Sequence, residues 1–417
     1  MPHTPRTPRT PPTPHSPPWL VHDGALTGLK VLDLSRILSG PFCSMVLADL
    51  GADVIKVEDT ASGDDTRAWG PPFQGEDAAY FHSVNRNKRG IAVDLKDPDC
   101  LRLVQELAGT ADVIVENFRP GTAARLGLGY EDVRSRHPGV VYASISGYGQ
   151  TGPYRHEPGY DAIAQAVSGV MSVTGEPAGP PVRFGVSPAD LAAGMWAAIG
   201  ILAALRNREH TGRGEWVDIS LLDGQVAWLS YVAGGYFASG EVPQRYGSAH
   251  PTIVPYQAFP TADGHLMVAA GNDGLWRRFA TAIGLAALAD DPRFATNPDR
   301  VRHRGELLPL IEGALRARGA QEWAVLLTEA QVPVGPINTV DQALRHPQVI
   351  ARGMIAELEH PDAGTLRTLA SPLKLSGNPA AVRTPPPRHG EHTAEILTAL
   401  GVGPGRLAGL RARKAAK

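Results

Sequence analysis

The strongest constraint on this chain is the alternation of short apolar strands with helical segments between Leu29 and Ser146. LKVLDL reads as a buried strand, SGPFCSMVLADLG as a helix closed by Gly51, and ADVIKVE as a second strand. The rhythm continues through GIAVDL, the helix CLRLVQELA, the strand DVIVE, a short helix after NFRPG and the strand VVYASIS. Strands alternating with helices predict an α/β fold with a parallel sheet.

Beyond it, AIAQAVSGVM and LAAGMWAAIGILAAL read as apolar helices, and TGRGEWVDISLLDG as a turn and strand. The grammar changes after Tyr246, where AFPTADGHLMVAA suggests a hairpin followed by helical segments to about Leu327. A chain of 417 residues holds two or three domains at ~150 residues each. We therefore expect a large domain over 24–224, a connecting segment over 225–245 and a smaller α+β domain over 246–330. Eight prolines among the first eighteen residues, with no apolar core, mark 1–23 as a disordered tail rather than a signal peptide.

Composition excludes several classes. A net charge of −2 gives no global field toward nucleic acid or an anionic membrane. The apolar run Leu191–Leu205 would span only about 22 Å as a helix, short of a bilayer core, and reads as a buried helix. Cys43 and Cys100 form no metal or disulfide pattern, fourteen histidines are scattered, and a reducing cytoplasm fits; no metal site is expected.

Glu58, ending the second strand, invites a dinucleotide-binding reading, but SRILSGP has one glycine where GxGxxG needs three. GxxxxGK[ST], GxSxG and HExxH are all missing. Ser187-Pro188-Ala189-Asp190 has the form of a capping box ahead of the apolar run. Asp190 then either caps the helix or serves as a nucleophilic carboxylate at its N-terminus, and spacing does not separate the two. Asp161 opens the preceding helix with the same ambiguity. Lys88, Arg89, Arg119 and Arg125 sit in βα connections, where such folds bind ligands, and Gly147–Tyr154 is a turn-rich loop with backbone amides open to a ligand.

Ten ordered blocks then converge on one family. They are LTGLKVLDLSRILSGPFCSMVLADLGADVIKVE, Gly63-Asp64 with TRAW, NRNKRGIAVDLK, ENFRPGTAARLGLGY, SGYGQTGPY, PGYDAIAQAVSG, the Asp190 segment, TGRGEWVDISLLD, HPTIVPYQAF and GEHTAEIL. From about Leu26 to Gly401 the chain resembles the family III CoA-transferases, which include formyl-CoA and carnitine CoA-transferases and alpha-methylacyl-CoA racemases.

The resemblance implies a Rossmann-like large domain and a small domain, joined by linkers at 225–245 and 331–347, with 348–417 returning to the large domain. It also implies an interlocked homodimer. It places the acyl-carrying nucleophile at Asp190, and coenzyme A at Leu38, Ser39, Val93, Asp94, Leu95, Lys96, Asn117, Phe118, Arg125, Gly159, Tyr160 and Asp161. Gly247 and His250 are carried over as substrate-pocket residues, and Arg36 is read as a site for the far carboxylate of a dicarboxylic acid. CoA and acyl-CoA enter as substrates, with no permanently bound cofactor.

Three departures sharpen the expectation. Leu38 stands where formyl-CoA transferases have glutamine, and Asp59 where they have a phosphate-binding arginine. Phosphate contacts are then expected from Arg67, Lys88 or Arg89. Tyr160 stands where the racemases have a histidine base, which favours a transferase over a racemase, while the intact Asp190 segment argues against a non-catalytic acyl-CoA-binding protein.

Overall fold

The computed structural model describes residues 19–417, so most of the proline-rich tail lies outside the described residues. The rest of that expected tail is ordered. Trp19 is buried with its Nε1 donating to Thr110 Oγ1 at 2.9 Å, and the Leu20 N–H donates to Asp53 at 2.6 Å. An indole with a partner for its N–H anchors a segment that a proline-rich average conceals.

The described residues divide into two compact units. One takes those up to Ser168, then Gly185–Ser230 and Ala351–Lys417; the other takes Gly169–Phe184 and Tyr231–Ile350. Gly169–Phe184 thus groups away from the span 24–224 in which it was expected. Much of 225–245 is helical, in Leu221–Trp228 and Ser230–Ser239.

Six strands build the first unit: β1 (Lys30–Asp33), β2 (Asp53–Glu58), β3 (Lys88–Ala92), β4 (Val113–Glu116), β5 (Val141–Ser146) and β6 (Trp216–Ser220). They are parallel and lie in the order β3-β2-β1-β4-β5-β6. Val31, Val54 and Val113 face one layer, formed by helix α1 (Ser39–Asp49) and the long helix Pro188–Thr211. Leu32, Ile55 and Ile114 face the other, formed by helix α2 (Pro98–Ala108) and the helices Thr393–Ala399 and Pro404–Ala412. Burial on both faces explains why the strands read as unbroken apolar runs. Chain direction across the sheet reverses between β1 and β4. Such a switch point leaves a crevice beyond the carboxyl ends of those strands.

Helix Asp161–Val167 is α3 and helix Pro188–Thr211 is α4. At 24 residues α4 outruns the apolar stretch read from the sequence, and by length and composition it could cross a bilayer. Half of its apolar window is buried within the protein instead. It approaches α1 closely at Gly194, where an added Cβ would stand 2.6 Å from the Ser39 carbonyl oxygen.

The second unit carries the expected hairpin, Tyr256–Pro260 with His265–Ala269, extended by Val334–Pro336 into an antiparallel sheet. Its core gathers Trp276, Phe279 and Phe294 around a fully buried Arg300, which donates to the Val254 and Phe294 carbonyls and pairs with Asp273 at 2.8 Å. One hairpin of the first unit, Ile355–His360 with Gly364–Leu369, escaped the sequence reading because few of its side chains are buried.

The α1–α4 contact gives a test. Gly194→Ala should destabilise the protein by about 1–3 kcal/mol through overpacking, despite alanine's better helix propensity. Gly313→Ala, in the exposed face of a helix with nothing near its Cβ, should stabilise it by roughly 0.5–1 kcal/mol. Denaturant unfolding of the two variants measures both signs.

Candidate active site

The N-terminus of α4 is arranged differently from a capping box. Ser187 holds the N-cap position but its side chain makes no capping bond. The cap comes from Asp161, the first residue of α3, whose Oδ1 accepts the N–H groups of Ala189 at 2.8 Å and Asp190 at 3.4 Å. Gln165 holds the other oxygen of Asp161 at 2.6 Å. The Asp190 carboxyl is therefore released from the capping role and lines a cavity instead.

Burial, then the negative charge of Asp161, pushes the Asp190 carboxyl up to about 7, against a downward pull from the Ser39 side chain. The positive end of a helix favours a carboxylate by ~0.3–1 kcal/mol at exposed sites, less than a tenfold effect on acidity. Desolvation outweighs it here.

Asp190's cavity, about 180 Å³, opens at the switch point beside Ser39, Ser146, Gly147, Gly159 and Tyr160. A second cavity of about 440 Å³ is walled by Arg36 and by Val93, Asp94, Leu95 and Lys96. Ile37, Asn117, Phe118 and Arg119 line both, so the two share a wall. The smaller lies below the ~300–1,000 Å³ of pockets for drug-sized ligands and suits an acyl group rather than a nucleotide.

Behind this wall lies a buried charge network. Lys56, with no exposed side-chain surface, pairs with Asp64 at 2.9 Å and donates to the Ser35 carbonyl at 2.8 Å. Lys88, equally buried, pairs with Asp33 at 3.1 Å and is drawn down to about 8 by burial. Burial pushes Asp33 up, but Lys88 and Lys56 outweigh it and hold the carboxyl at about 2. Glu116, at the end of β4, accepts the Phe118 N–H at 2.8 Å; burial pushes its carboxyl up to about 7.

These pairs correct the expected phosphate contacts. Arg67 is engaged by Glu58 at 2.7 Å and Asp77 at 2.6 Å, Lys88 by Asp33, and Arg89 by Asp53 at 2.6 Å and Glu395 at 2.9 Å. Glu58 lines the larger cavity but has both carboxylate oxygens engaged by Arg67. The cations facing the larger cavity are Arg36, Lys96 and Arg119, which make no ion pair among the described residues.

The other sequence candidates divide. Leu38 lines neither cavity; it precedes α1 and packs with Met45 and Val84. Arg125 lies on a short exposed helix, bonded to Thr122. Gly247 and His250 belong to the second unit, where Gly247 lines a cavity of about 590 Å³ and the His250 ring stacks on Tyr231 at 5.5 Å. Ile37, Arg155 and Tyr80 were missed. Burial, then the charges of Asp190 and Asp161, pushes the Tyr80 phenol up to about 12, but no motif or periodicity marks it. Arg155 follows a quoted block by one residue, and its charge beside the turn-rich loop was an available signal.

A doubly wound sheet with a half-buried carboxyl at its switch point, beside a larger cavity lined both by Arg36, Lys96 and Arg119 and by Glu58, Asp59, Asp65 and Asp94, defines an α/β enzyme site. The chain belongs to CoA-transferase family III, whose model matches residues 26–393. It is 45% identical over 372 residues to the human (Homo sapiens) succinyl-CoA:glutarate CoA-transferase, covering 89% of this chain and 85% of that one. It is 45% identical over 381 residues to a succinate–glutarate CoA-transferase of Agrobacterium fabrum, covering 90% and 95%. A solved CaiB/BaiF family protein from Brucella suis matches with a TM-score of 0.82 at 41% identity, covering 91% of this chain and all, 100%, of that one.

The raised Asp190 carboxyl sets a pH dependence. If it must be ionised to react, kcat/KM should rise with pH through about 7. Asp161→Asn keeps an oxygen for the cap but removes the charge, so the midpoint should fall. In stability the sign is opposite: the folded state favours protonated Asp190, a contribution lost as pH rises through about 7. Asp190→Asn should therefore gain more thermal stability over wild type at pH 8 than at pH 5.5.

Proposed function

We propose that this enzyme moves coenzyme A from an acyl-CoA to a free carboxylic acid, with Asp190 carrying the acyl group. The observation that carries the reading is the pairing at α4: Asp161 caps the helix, and the Asp190 carboxyl lines the smaller cavity.

An Asp190 oxygen attacks the donor thioester carbonyl, the C–S bond breaks, and an aspartyl-acyl anhydride and CoA thiolate result. The thiolate attacks the aspartyl carbonyl and expels the donor acid, leaving an aspartyl-CoA thioester. The acceptor carboxylate attacks that thioester, releasing thiolate and forming a second anhydride. Thiolate then attacks the acceptor's carbonyl, giving the new acyl-CoA and restoring the Asp190 carboxylate. Each thioester is exchanged for a bond of similar or higher energy, so no ATP is consumed.

A dicarboxylic acid is the acceptor class best supported. The relatives named above act on succinate and glutarate by their names, and Arg119 and Arg155 line the same cavity as Asp190. Arg36, assigned to the far carboxylate from the sequence, lines the larger cavity, where a CoA phosphate is the better match. Racemisation is disfavoured because no histidine lines the Asp190 cavity among the described residues.

The homodimer is part of the same reading. Met195, Trp196, Ile199 and Leu202 leave α4 with an exposed apolar face, Ile199 at 56% exposure, which a second copy would cover. Light scattering should then give twice the chain mass, and a monomer at micromolar concentration would remove this part.

The deciding experiment combines succinyl-CoA with hydroxylamine trapping and mass spectrometry. A hydroxamate at Asp190 is expected, with transfer lost in Asp190→Ala; full transfer by that variant would sink the mechanism. Arg155→Gln should raise KM for glutarate by about tenfold or more, from loss of a charge-assisted bond, while leaving pentanoate nearly unchanged.

A further inference from the structure

Ile37 stands in the left-handed region at φ 70°. For a β-branched residue this conformation is an outlier, disfavoured by about tenfold or more, and it persists only where the surroundings impose it.

Two clamps do so. Asn117 Oδ1 accepts the Arg36 N–H at 2.8 Å, while its Nδ2 donates to the Arg36 carbonyl at 2.7 Å. Both ends of the carboxamide thus close on the residue before Ile37. On the other side the Ile37 N–H donates to the Asp64 carboxylate at 3.2 and 3.3 Å, and Asp64 is anchored by Lys56. Arg36 follows β1 and Asn117 follows β4, so the first clamp bridges the switch point that the sheet order leaves open.

We propose that Asn117 is a positioning residue that acts on coenzyme A through Ile37 rather than by touching it. Ile37 and Asn117 belong to the wall shared by the two cavities. The backbone conformation at Ile37 therefore sets the passage through which a thioester arm runs from the cations of the larger cavity to Asp190. Asn117 holds that conformation against its own strain. The inference rests on the CoA-transfer reading above.

A double-mutant cycle read by calorimetric titration with coenzyme A tests it. Asn117→Ala should weaken CoA binding about tenfold, the bias against a left-handed β-branched residue. In an Ile37→Gly background the same substitution should cost less than about twofold, because glycine takes a positive φ unaided. Asn117→Asp, isosteric and able to keep the bond from the Arg36 N–H, replaces the alanine variant should that fail to fold, with the same expected rescue. A loss that persists in the glycine background would show direct contact with the ligand and overturn the proposal, as would no loss in either background. Wild-type protein that binds no coenzyme A would overturn the transfer reading itself, a failure distinct from an uncoupled cycle.

Discussion

The site depends on two lysines that never meet solvent. Lys56 and Lys88 lie beneath the loop joining β1 to α1, and each is held by a carboxylate and a backbone carbonyl of that loop or of α1. Removing one partner of a buried pair typically costs 3–5 kcal/mol, because the other charge is stranded. The loop therefore has one seat, and α1 begins where that seat places it. Ser39, Ile37 and the wall between the cavities inherit their positions from charges that contact no ligand. The same engagement leaves Lys88 with no charge to offer a ligand.

A second division of labour occurs between two aspartates that look alike in sequence. Each opens a helix, and each is suited to capping or to chemistry. The fold separates them by reach: Asp161 extends across to the free amides of α4 and is spent on them, while Asp190 faces the cavity. Their proximity also matters, since the charge on Asp161 makes the neighbouring carboxyl harder to ionise. The capping residue thus tunes the acidity of the residue it frees.

The parallel sheet was legible because its strands are buried on both faces, and Val31, Leu32, Val54 and Ile55 announce themselves as continuous apolar runs. The hairpin 355–369 was not, because few of its side chains are buried, and neither was the anchored Trp19, whose partner Thr110 is remote in sequence. Asp190, Lys96 and Tyr160 could be named from motifs that resemble a family. Which cations are spent on ion pairs could not: Arg67 and Arg36 are equally charged in the sequence, and only their partners distinguish them. Ile37 carries no sequence signal, since an isoleucine gives no hint of a positive φ.

The strip Val93–Lys96, one wall of the larger cavity, is fastened to residues more than three hundred positions later. Val93 bridges to Ala416, the Asp94 N–H donates to the Ala415 carbonyl at 2.9 Å, and Arg413 grips Asp97 and Asp99 at 2.7 and 2.8 Å. Contacts so distant in sequence form late, after the loop-closure entropy between them has been overcome. That wall of the larger cavity is thus completed only once the chain following helix Pro404–Ala412 has docked. By linkage, a ligand resting on that wall also holds the docked helix in place.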